Sequence, residues 1–345
     1  MASAALIDKN CPALAGLAAR LLEGWKQLPE RWQQTPLGVC LSAGGDSSAL
    51  AMAAARAQAL APEHFFPEVR LLHVRHALRG DASRGDAQAA CELGAQLGLP
   101  CELLDARVEP GPGLEARARA ARYQALRKGF SGLLATAHHR GDQAETVLLR
   151  ILRGAGPIGL RGIAPLREDG IWRPFLEESR TRLRQALVEA KWTPREDESN
   201  SDTAFARNLL RHKVLPDLEI CEAGWEEALS ALARSAEKLR PHLAARMEAI
   251  ALATSFQTTS DGFQMELLSW PDAEHDLELD IFLEQAWTRS GRRPWSREHR
   301  ARLVRDVAAG KAGRRRGGQD ETALFGGGRL CIELSGGRQP REDGC

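Results

Sequence analysis

The stretch SAGGDSS, residues 42–48, combines small residues, hydroxyl groups and one carboxylate in a way that suits phosphate binding. Glycine lets a backbone come close to a phosphate, and a helix N-terminus adds unpaired N–H groups and partial positive charge. The residues that would form this anion site are Ser42, Ala43, Gly44, Gly45, Asp46 and Ser47. The stretch is neither a Walker-type loop nor a G-x-G-x-x-G turn. On this stretch alone, a serine–glycine turn with Asp46 as helix N-cap fits equally well.

A second stretch, HHRGDQAET at residues 138–146, carries groups suited to metal binding and proton transfer. Asp142 and Glu145 share one helix face, because they are three residues apart. Carboxylates such as these and Asp46 can bind the Mg²⁺ ion that accompanies a nucleotide triphosphate. His138 and His139 are candidates for a general base. A histidine at a strand end can instead be structural, and the residues alone leave both interpretations open.

The stretch RNLLR places Arg207 and Arg211 four residues apart, with Asn208 between them. Like charges repel at this helical spacing, so the pair indicates an anionic partner, either a triphosphate or RNA. Ion pairs with the preceding REDES stretch at 195–199 are the alternative.

A further basic cluster, Lys311 with Arg314, Arg315 and Arg316, lies between glycines. Such a cluster can hold nucleic-acid phosphates with little base specificity, although a solvated loop explains it as well. Because 47 basic residues nearly balance 46 acidic ones, for a net charge of +1, any nucleic-acid contact must come from local clustering of this kind.

Short apolar runs alternate with helical patterns through the first half of the chain. Strands are predicted at 37–42, 69–74, 101–108 and 132–138, and helices at 47–60, 83–98, 113–130 and 143–154. This alternation predicts an α/β fold in which a twisted parallel sheet has helices on both faces. Ligands of such sheets bind beyond the carboxyl ends of the strands. Ser42 and His138 each end a predicted strand, so we expect both at one edge of the sheet.

The chain is long enough for two or three domains, and we place the main boundary just past Leu215 and Pro216. Residues 1–218 are the predicted catalytic domain, and residues 219–345 are a predicted helical and smaller α+β region. The other predicted elements are an N-terminal helix at 11–29, a helical and basic stretch at 177–216, one or two helices at 222–256, a helix near 296–308 and Gly-rich strand segments ending in GRLCIEL.

Cysteine usage and hydropathy indicate a cytoplasmic protein. The seven cysteines are scattered and include no C-x-x-C pair, which is typical of reduced thiols. We expect no membrane span, because no apolar run approaches the required length. Asp8, Lys9 and Asn10 interrupt the first apolar residues, so no secretory leader is expected.

The stretch SAGGDSSAL resembles the S-G-G-x-D-S signature of the PP-loop ATP pyrophosphatase superfamily. Later segments resemble, in the same order, those of one family within it, the tRNA(Ile)-lysidine synthases. These segments are HVRHALRGDASRGD (73–86), GLEARARAARYQAL (113–126), TAHHRGDQAETVLLRILRGAGPIGL (136–160), WRPFLEESRTRLRQAL (172–187) and WTPREDESNSDTAFARNLLRHKVLP (192–216). The resemblance covers residues 37 to 216, whereas the C-terminal third fits the family loosely.

The resemblance implies a ligase that adenylates C2 of the anticodon wobble cytidine of tRNA(Ile), which carries a CAU anticodon. The ε-amine of free L-lysine then displaces AMP. It implies catalytic roles for Asp46, Glu145, Arg207 and His138, and Mg²⁺ binding by Asp46, Asp142 and Glu145. It also implies ATP binding by residues 42–47 with His139, Asn208 and Arg211, and tRNA binding by the C-terminal region. A homodimer is left open.

The sequence departs from the family pattern at two positions. Ala43 replaces the first glycine of the signature, and Gly141 replaces the first of two aspartates. The alternatives are therefore a catalytically impaired tRNA-binding relative or another PP-loop adenylating enzyme, such as a tRNA thiolase or a small-molecule synthetase. A thiolase is disfavoured because paired cysteines for sulfur chemistry are lacking.

Overall fold

The computed structural model describes most of the chain. The described residues are 11–62, 64–76, 80–108, 111, 114–195, 206–260, 262–266, 275–290, 295–317 and 321–334. They form two compact units, Met1–Leu149 with Gly162–Ala231, and Arg150–Arg161 with Leu232–Cys345.

A parallel five-stranded sheet is the centre of the first unit. Its strands are β1 (Leu37–Cys40), β2 (Val69–His76), β3 (Cys101–Ala106), β4 (Leu133–Ala135) and β5 (Ile171–Trp172). They lie in the order β3-β2-β1-β4-β5, and β1 pairs in parallel with both β2 and β4. The order reverses at β1, so the loops that follow β1 and β4 leave neighbouring strands at the same sheet edge.

The chain up to Ala253 contains ten helices among the described residues. In chain order they are α1 (Pro12–Lys26), α2 (Glu30–Gln33), α3 (Gly45–Leu60), α4 (Gly80–Leu97), α5 (Leu114–Gly129), α6 (Arg140–Leu152), α7 (Arg180–Glu189), α8 (Ala206–Leu209), α9 (Leu215–Cys221) and α10 (Trp225–Ala253). A π-helical turn, Leu210–Val214, joins α8 to α9, and Gly159–Arg161 form a 3₁₀ turn.

The alanine-rich helix α3 is the most buried helix of the first unit. Every residue from Ser47 to Ala57 is buried, because α1 and α7 pack against α3 as well as the sheet. A helix that is apolar on all sides is stable only in such a core position. The small alanine side chains let the neighbouring backbones come close, which fixes the start of α3 beneath the loop that follows β1.

The second unit contains an antiparallel sheet with strand order β6-β7-β10-β9-β8. The strands are β6 (Gln257–Thr258), β7 (Gly262–Glu266), β8 (Gly313–Arg316), β9 (Glu321–Gly326) and β10 (Arg329–Leu334). Its helices are α11 (His275–Arg289) and α12 (Arg297–Ala308). The aromatic residues Phe263, Trp287 and Trp295 lie in the core of this unit.

The predicted α/β class with a parallel sheet is confirmed. The elements that were not predicted include helices α2 and α11 and the two-residue strands β5 and β6. The stretch 177–216 contains α7, α8 and the π-helical turn, and its residues 196–205 lie outside the described part of the chain. Among the described helices, none combines the length and apolar character of a membrane span.

Compactness divides the chain differently from the expected boundary at 218. Residues 150–161 belong to the second unit and residues 219–231 to the first. Helices α6 and α10 each contain one of the boundaries between the two units, after Leu149 and after Ala231. The functional boundary at 218 stays a prediction.

Candidate active site

The loop between β1 and α3 is closed on itself by Ser47. Ser47 Oγ accepts the Ser42 N–H at 3.1 Å, lies 3.1 Å from Ser42 Oγ and donates to the Gly44 carbonyl at 3.0 Å. Gly44 is the N-cap of α3, Gly45 is its first residue, and no side chain caps this helix end. The alternative in which Asp46 is the N-cap is therefore wrong. The uncapped N–H groups are donors of the kind that bind phosphate, and phosphate binding at this loop stays a prediction.

Ala43 has a left-handed backbone conformation with φ of 65°. Because its Cβ crowds the following carbonyl, a residue other than glycine in this conformation costs about 1–2 kcal/mol. Ala43 is buried, and its carbonyl accepts the Arg195 N–H at 3.3 Å. The loop thus keeps the geometry that a glycine would favour, at a cost in stability.

His139 connects the two motifs. Its buried ring accepts the Gly141 N–H at Nδ1, at 3.0 Å, so the ring proton is on Nε2. Nε2 lies 3.7 Å from Asp46 Oδ2 and 3.7 Å from Asp142 Oδ2. Asp142 Oδ2 in turn accepts the His139 backbone N–H at 3.0 Å, which makes a reciprocal cap for the start of α6.

Asp142, Glu145, Arg207 and Arg211 form what we call the acid–arginine cluster. Arg207 donates to Glu145 Oε2 at 2.7 Å and to Asp142 Oδ1 at 2.8 Å. Arg211 donates to Glu145 Oε1 at 2.5 Å and to Asp142 Oδ1 at 3.0 Å. Each arginine therefore bridges both carboxylates, and the two pairs of charges balance.

This cluster shows which groups balance the charges of Arg207 and Arg211. Their anionic partners among the described residues are Asp142 and Glu145, which lie more than sixty residues earlier in the chain. The π-helical turn contains Arg211, and such turns frequently occur at functional sites. Asn208 is half-buried on α8, next to Arg207.

Opposing influences act on the cluster's pKa values. Burial by itself would raise the pKa of Asp142, but His139, Arg207 and the His139 amide together hold it below its ordinary value. Burial would lower the pKa of Arg211, but hydrogen bonding to Glu145 and the charge of Asp142 raise it. For Asp142 and Arg211 the ion pairs thus outweigh desolvation, and both groups are held in their charged forms.

His138 lies beside this cluster as a neutral imidazole. Burial, followed by the charges of Arg173, Arg119 and Arg207, lowers its pKa to about 4 although Asp142 opposes the shift. Its Nδ1 is 2.8 Å from Thr136 Oγ1. A base with so low a pKa takes a proton from an alkylammonium group, whose pKa is about 10.4, only with difficulty. His138 is better suited to hydrogen bonding than to proton abstraction.

The predicted metal ligands do not form a ready-made set. The described part of the chain holds no group of three acidic, histidine or cysteine side chains arranged for a metal ion. Asp142 and Glu145 point to arginines, while Asp46 is one-third exposed and lies 3.9 Å from Arg180. The exposed carboxylate of Asp46, next to the uncapped helix end, fits Mg²⁺ bound to a phosphate; the full ligand set stays a prediction.

Two site groups escaped the sequence analysis. Arg180 lies in the segment 172–187 but was not singled out there, and Glu226 lies in no quoted segment, so only the tertiary fold brings them to the site. The hydroxyl of Ser48 is buried without a hydrogen-bond partner. Ser48 belongs to the SAGGDSS stretch, in which the sequence places the phosphate-binding turn.

Comparison with known proteins shows matches to one family. Residues 18–218 match the PP-loop domain family model. The tRNA(Ile)-lysidine synthase of Bordetella bronchiseptica is 39% identical over 248 residues, which are 68% of this chain and 69% of the relative. That of Solibacter usitatus is 43% identical over 178 residues, 50% of this chain. The chain spans only 40% of that relative's length.

Among solved structures, the U34-tRNA thiolase NcsA of Methanococcus maripaludis, determined with its [4Fe-4S] cluster, superposes with a TM-score of 0.52. The alignment covers 68% of this chain and 81% of the thiolase. At 14% sequence identity, this likeness concerns the fold alone.

Proposed function

Because the chain belongs to the tRNA(Ile)-lysidine synthase family of PP-loop proteins, we propose that it ligates free L-lysine to C2 of the wobble cytidine of tRNA(Ile). ATP adenylates the cytidine and releases pyrophosphate, and the ε-amine of lysine then displaces AMP. The tRNA is the one with a CAU anticodon. The site of the reaction is the first compact unit, in the cytoplasm.

One observation carries this proposal: His139 Nε2 lies 3.7 Å from a carboxylate oxygen of each motif, Asp46 and Asp142. The phosphate loop and the acid–arginine cluster are therefore parts of one site. Phosphoryl and nucleotidyl transfer require phosphate binding next to charge stabilisation, and this arrangement offers both.

The phosphate groups of ATP would bind at the uncapped start of α3. Ser42, Gly44, Gly45 and Ser47 supply hydroxyl and N–H donors there, and Ala43 keeps its N–H although its Cβ strains the loop. Asp46 would hold Mg²⁺, which would supply neutralisation of the phosphate charge. Asp142 and Glu145 are the further carboxylates that could hold it, and both pair with Arg207 and Arg211.

The acid–arginine cluster would bind the charged groups of the reaction. Asp142 and Glu145 hold Arg207 and Arg211 in place by ion pairs. A phosphate group can replace these carboxylates as the ion-pair partner of either arginine. Arg207 then contacts the adenylated intermediate, with Asn208 and His139 supporting the nucleotide. His138, uncharged at neutral pH, supplies a hydrogen bond at the rim of the cluster.

The second unit would hold the tRNA backbone. Its strand β8 carries Arg314, Arg315 and Arg316, and these arginines line a groove of about 220 Å³ with Trp295, His299 and Arg302. Arg315 also pairs with Asp306, so Arg314 and Arg316 are the better phosphate ligands. Contacts of this type give affinity without base specificity.

A direct assay tests the proposal. The purified protein is incubated with ATP, Mg²⁺, radiolabelled lysine and a tRNA(Ile) transcript with a CAU anticodon. We expect lysine in the tRNA together with equal amounts of AMP and pyrophosphate. A transcript in which uridine replaces the wobble cytidine is the control and should accept no lysine. The same assay with Asp46→Asn should show at least about a hundredfold loss of turnover.

Two other outcomes correspond to the alternatives. Binding of tRNA without turnover would indicate a catalytically impaired relative, consistent with the strain at Ala43. A thiolase has less support, because burial raises the pKa of Cys40 and Cys101 to about 12 and thus keeps these cysteines as thiols.

A further inference from the structure

Glu226 brings to the site a carboxylate that no motif indicated. It lies in the first turn of α10. A Cβ atom added to Gly141 would be 3.1 Å from Glu226 Oε1 and 2.9 Å from His139 Cε1. Glu226 therefore occupies the space beside the start of α6 that a side chain at position 141 would need, and it lies next to the histidine that joins the two motifs.

Glu226 differs from the other acids of the site because it lacks a cation of its own. Asp142 and Glu145 share Arg207 and Arg211. The neighbouring Glu227 pairs with Arg140 at 3.0 Å. Within the described ranges, Glu226 makes no ion pair or hydrogen bond.

The electrostatic environment of Glu226 is unfavourable for its charge. Burial raises its pKa, and the carboxylates of Glu219 and Glu145 add to the rise, although His139 and Arg140 oppose it. A half-buried carboxylate without a counter-ion is destabilising, and a cation from outside the chain removes that penalty. The site is thus prepared for a positively charged ligand at this point.

The nature of that cation follows from the position of the phosphate loop. The Mg²⁺ ion that accompanies ATP is bound by one or two carboxylates together with phosphate oxygens, and the carboxylate at the uncapped start of α3 is that of Asp46, not that of Glu226. A primary ammonium group has three donors and is satisfied by one carboxylate with nearby neutral acceptors. An alkylammonium ion therefore fits this position better than a divalent metal.

We propose that Glu226 binds an ammonium group of the free lysine and so sets the affinity of the enzyme for its amine substrate. This inference rests on the proposed ligase function. Because Gly141 has no side chain, the carboxylate of Glu226 can lie beside the start of α6. Glu226 on α10 then supplies an acid near the position where the family pattern has the first of its two aspartates.

Replacement of Glu226 by glutamine keeps the side-chain volume and removes its charge. For Glu226→Gln we expect the lysine concentration that gives half-maximal lysidine formation to rise at least about tenfold, the loss typical of one charge-assisted hydrogen bond. The maximal rate at saturating lysine should fall less than about threefold, as expected when only substrate binding is lost. Glu227→Gln is the matched control, one residue away on the same turn, and should leave the lysine requirement within about twofold of wild type.

Two further measurements separate substrate binding from a structural role. Without substrates, Glu226→Gln should raise the melting temperature, because it removes an uncompensated charge; a structural acid would show a decrease. The double variant Glu226→Gln with Gly141→Asp should recover part of the lysine affinity, because the new carboxylate enters the same space from α6.

The outcomes distinguish the inference from the function on which it rests. Wild-type protein that forms no lysidine overturns the proposed function and the inference together. Active wild-type protein with an unchanged lysine requirement in Glu226→Gln overturns the inference alone. An equal rise in the lysine requirement of Glu227→Gln would also overturn the inference. The effect would then come from the loss of any negative charge on this helix turn and not from binding by Glu226.

Discussion

At the scale of single residues, Ala43 shows that the conformation of the phosphate loop lowers the stability of the protein. Its φ of 65° lies in the left-handed region that favours glycine. We expect Ala43→Gly to stabilise the protein by about 0.5–1 kcal/mol, because relief of about 1–2 kcal/mol of strain exceeds the entropy cost of glycine. Urea unfolding measures this difference.

Ala59→Gly is the matched control for Ala43→Gly. Ala59 is exposed on α3, where glycine costs up to about 1 kcal/mol relative to alanine. The two variants should therefore change stability in opposite directions. Destabilisation by both would mean that the loop does not hold Ala43 in a strained conformation.

His138 should make stability depend on pH. Its pKa falls from 6.5 to about 4 in the folded protein, so the unfolded chain binds the proton more readily between these values. The stabilising effect of the neutral ring is complete above pH 6.5 and is lost as the pH falls toward 4, by up to about 3 kcal/mol. His138→Gln should show a smaller loss of unfolding free energy than wild type between pH 7 and pH 4.5. Parallel profiles for the two proteins would contradict this.

At the scale of secondary structure, Gln143 fixes the loop that leads from α6 to β5. Its buried side chain donates to the Ile163 carbonyl at 3.1 Å and accepts the Ile163 N–H at 2.6 Å. Replacement by methionine keeps the length but leaves two buried backbone groups unpaired. Gln143→Met should therefore lower stability by about 2–4 kcal/mol, as measured by chemical unfolding.

Gln185, a glutamine at the surface, provides a control for Gln143. Gln185 on α7 donates to Glu189 at 3.0 Å in an exposed position. Gln185→Met should cost no more than about 0.5 kcal/mol, since water replaces the lost partner. Similar losses in both variants would refute the idea that Gln143 acts through buried backbone groups.

Secondary structure was predictable where local patterns are strong. Strands β1 to β4 and helices α3 to α6 follow from apolar runs and helical spacing, because a parallel sheet buries both faces. Strand β5 has two residues, too few for any pattern, and depends on its pairing with β4. The ion pairs between Arg207 and Glu145 join residues 62 positions apart, so only the tertiary fold determines them.

The same reasoning explains why the site was predicted only in part. The turn at 42–48 and the helix face of Asp142 and Glu145 are local features that sequence spacing reveals. Glu226 and Arg180 reach the site from distant elements, and spacing carries no information about such approaches. The resemblance to a family guided the choice of residues, yet it did not indicate that arginines would cover the expected metal ligands.

At the scale of the whole molecule, charge is distributed locally. The net charge of +1 provides no general attraction for RNA, so the proposed tRNA binding would depend on clusters such as that on β8. Asp306 holds Arg315 through its Oδ2 atom and accepts a hydrogen bond from Lys311 Nζ at its Oδ1 atom. These hydrogen bonds hold the pKa of Asp306 below its ordinary value. The alternating arginines Arg314 and Arg316 remain for a phosphate backbone.

We therefore expect the double variant Arg314→Gln with Arg316→Gln to weaken tRNA binding without changing the chemistry in the first unit. If each arginine neutralises one phosphate, the slope of log K against log salt should decrease in magnitude by about 1 per arginine removed. Filter binding at several salt concentrations measures the slope. Arg240→Gln, which removes an exposed charge paired with Glu237 on α10, is the control and should leave the slope unchanged. Equal slopes for the double variant and wild type would exclude β8 from the tRNA interface, because counterion release depends on the number of phosphate contacts and not on the total charge of the protein.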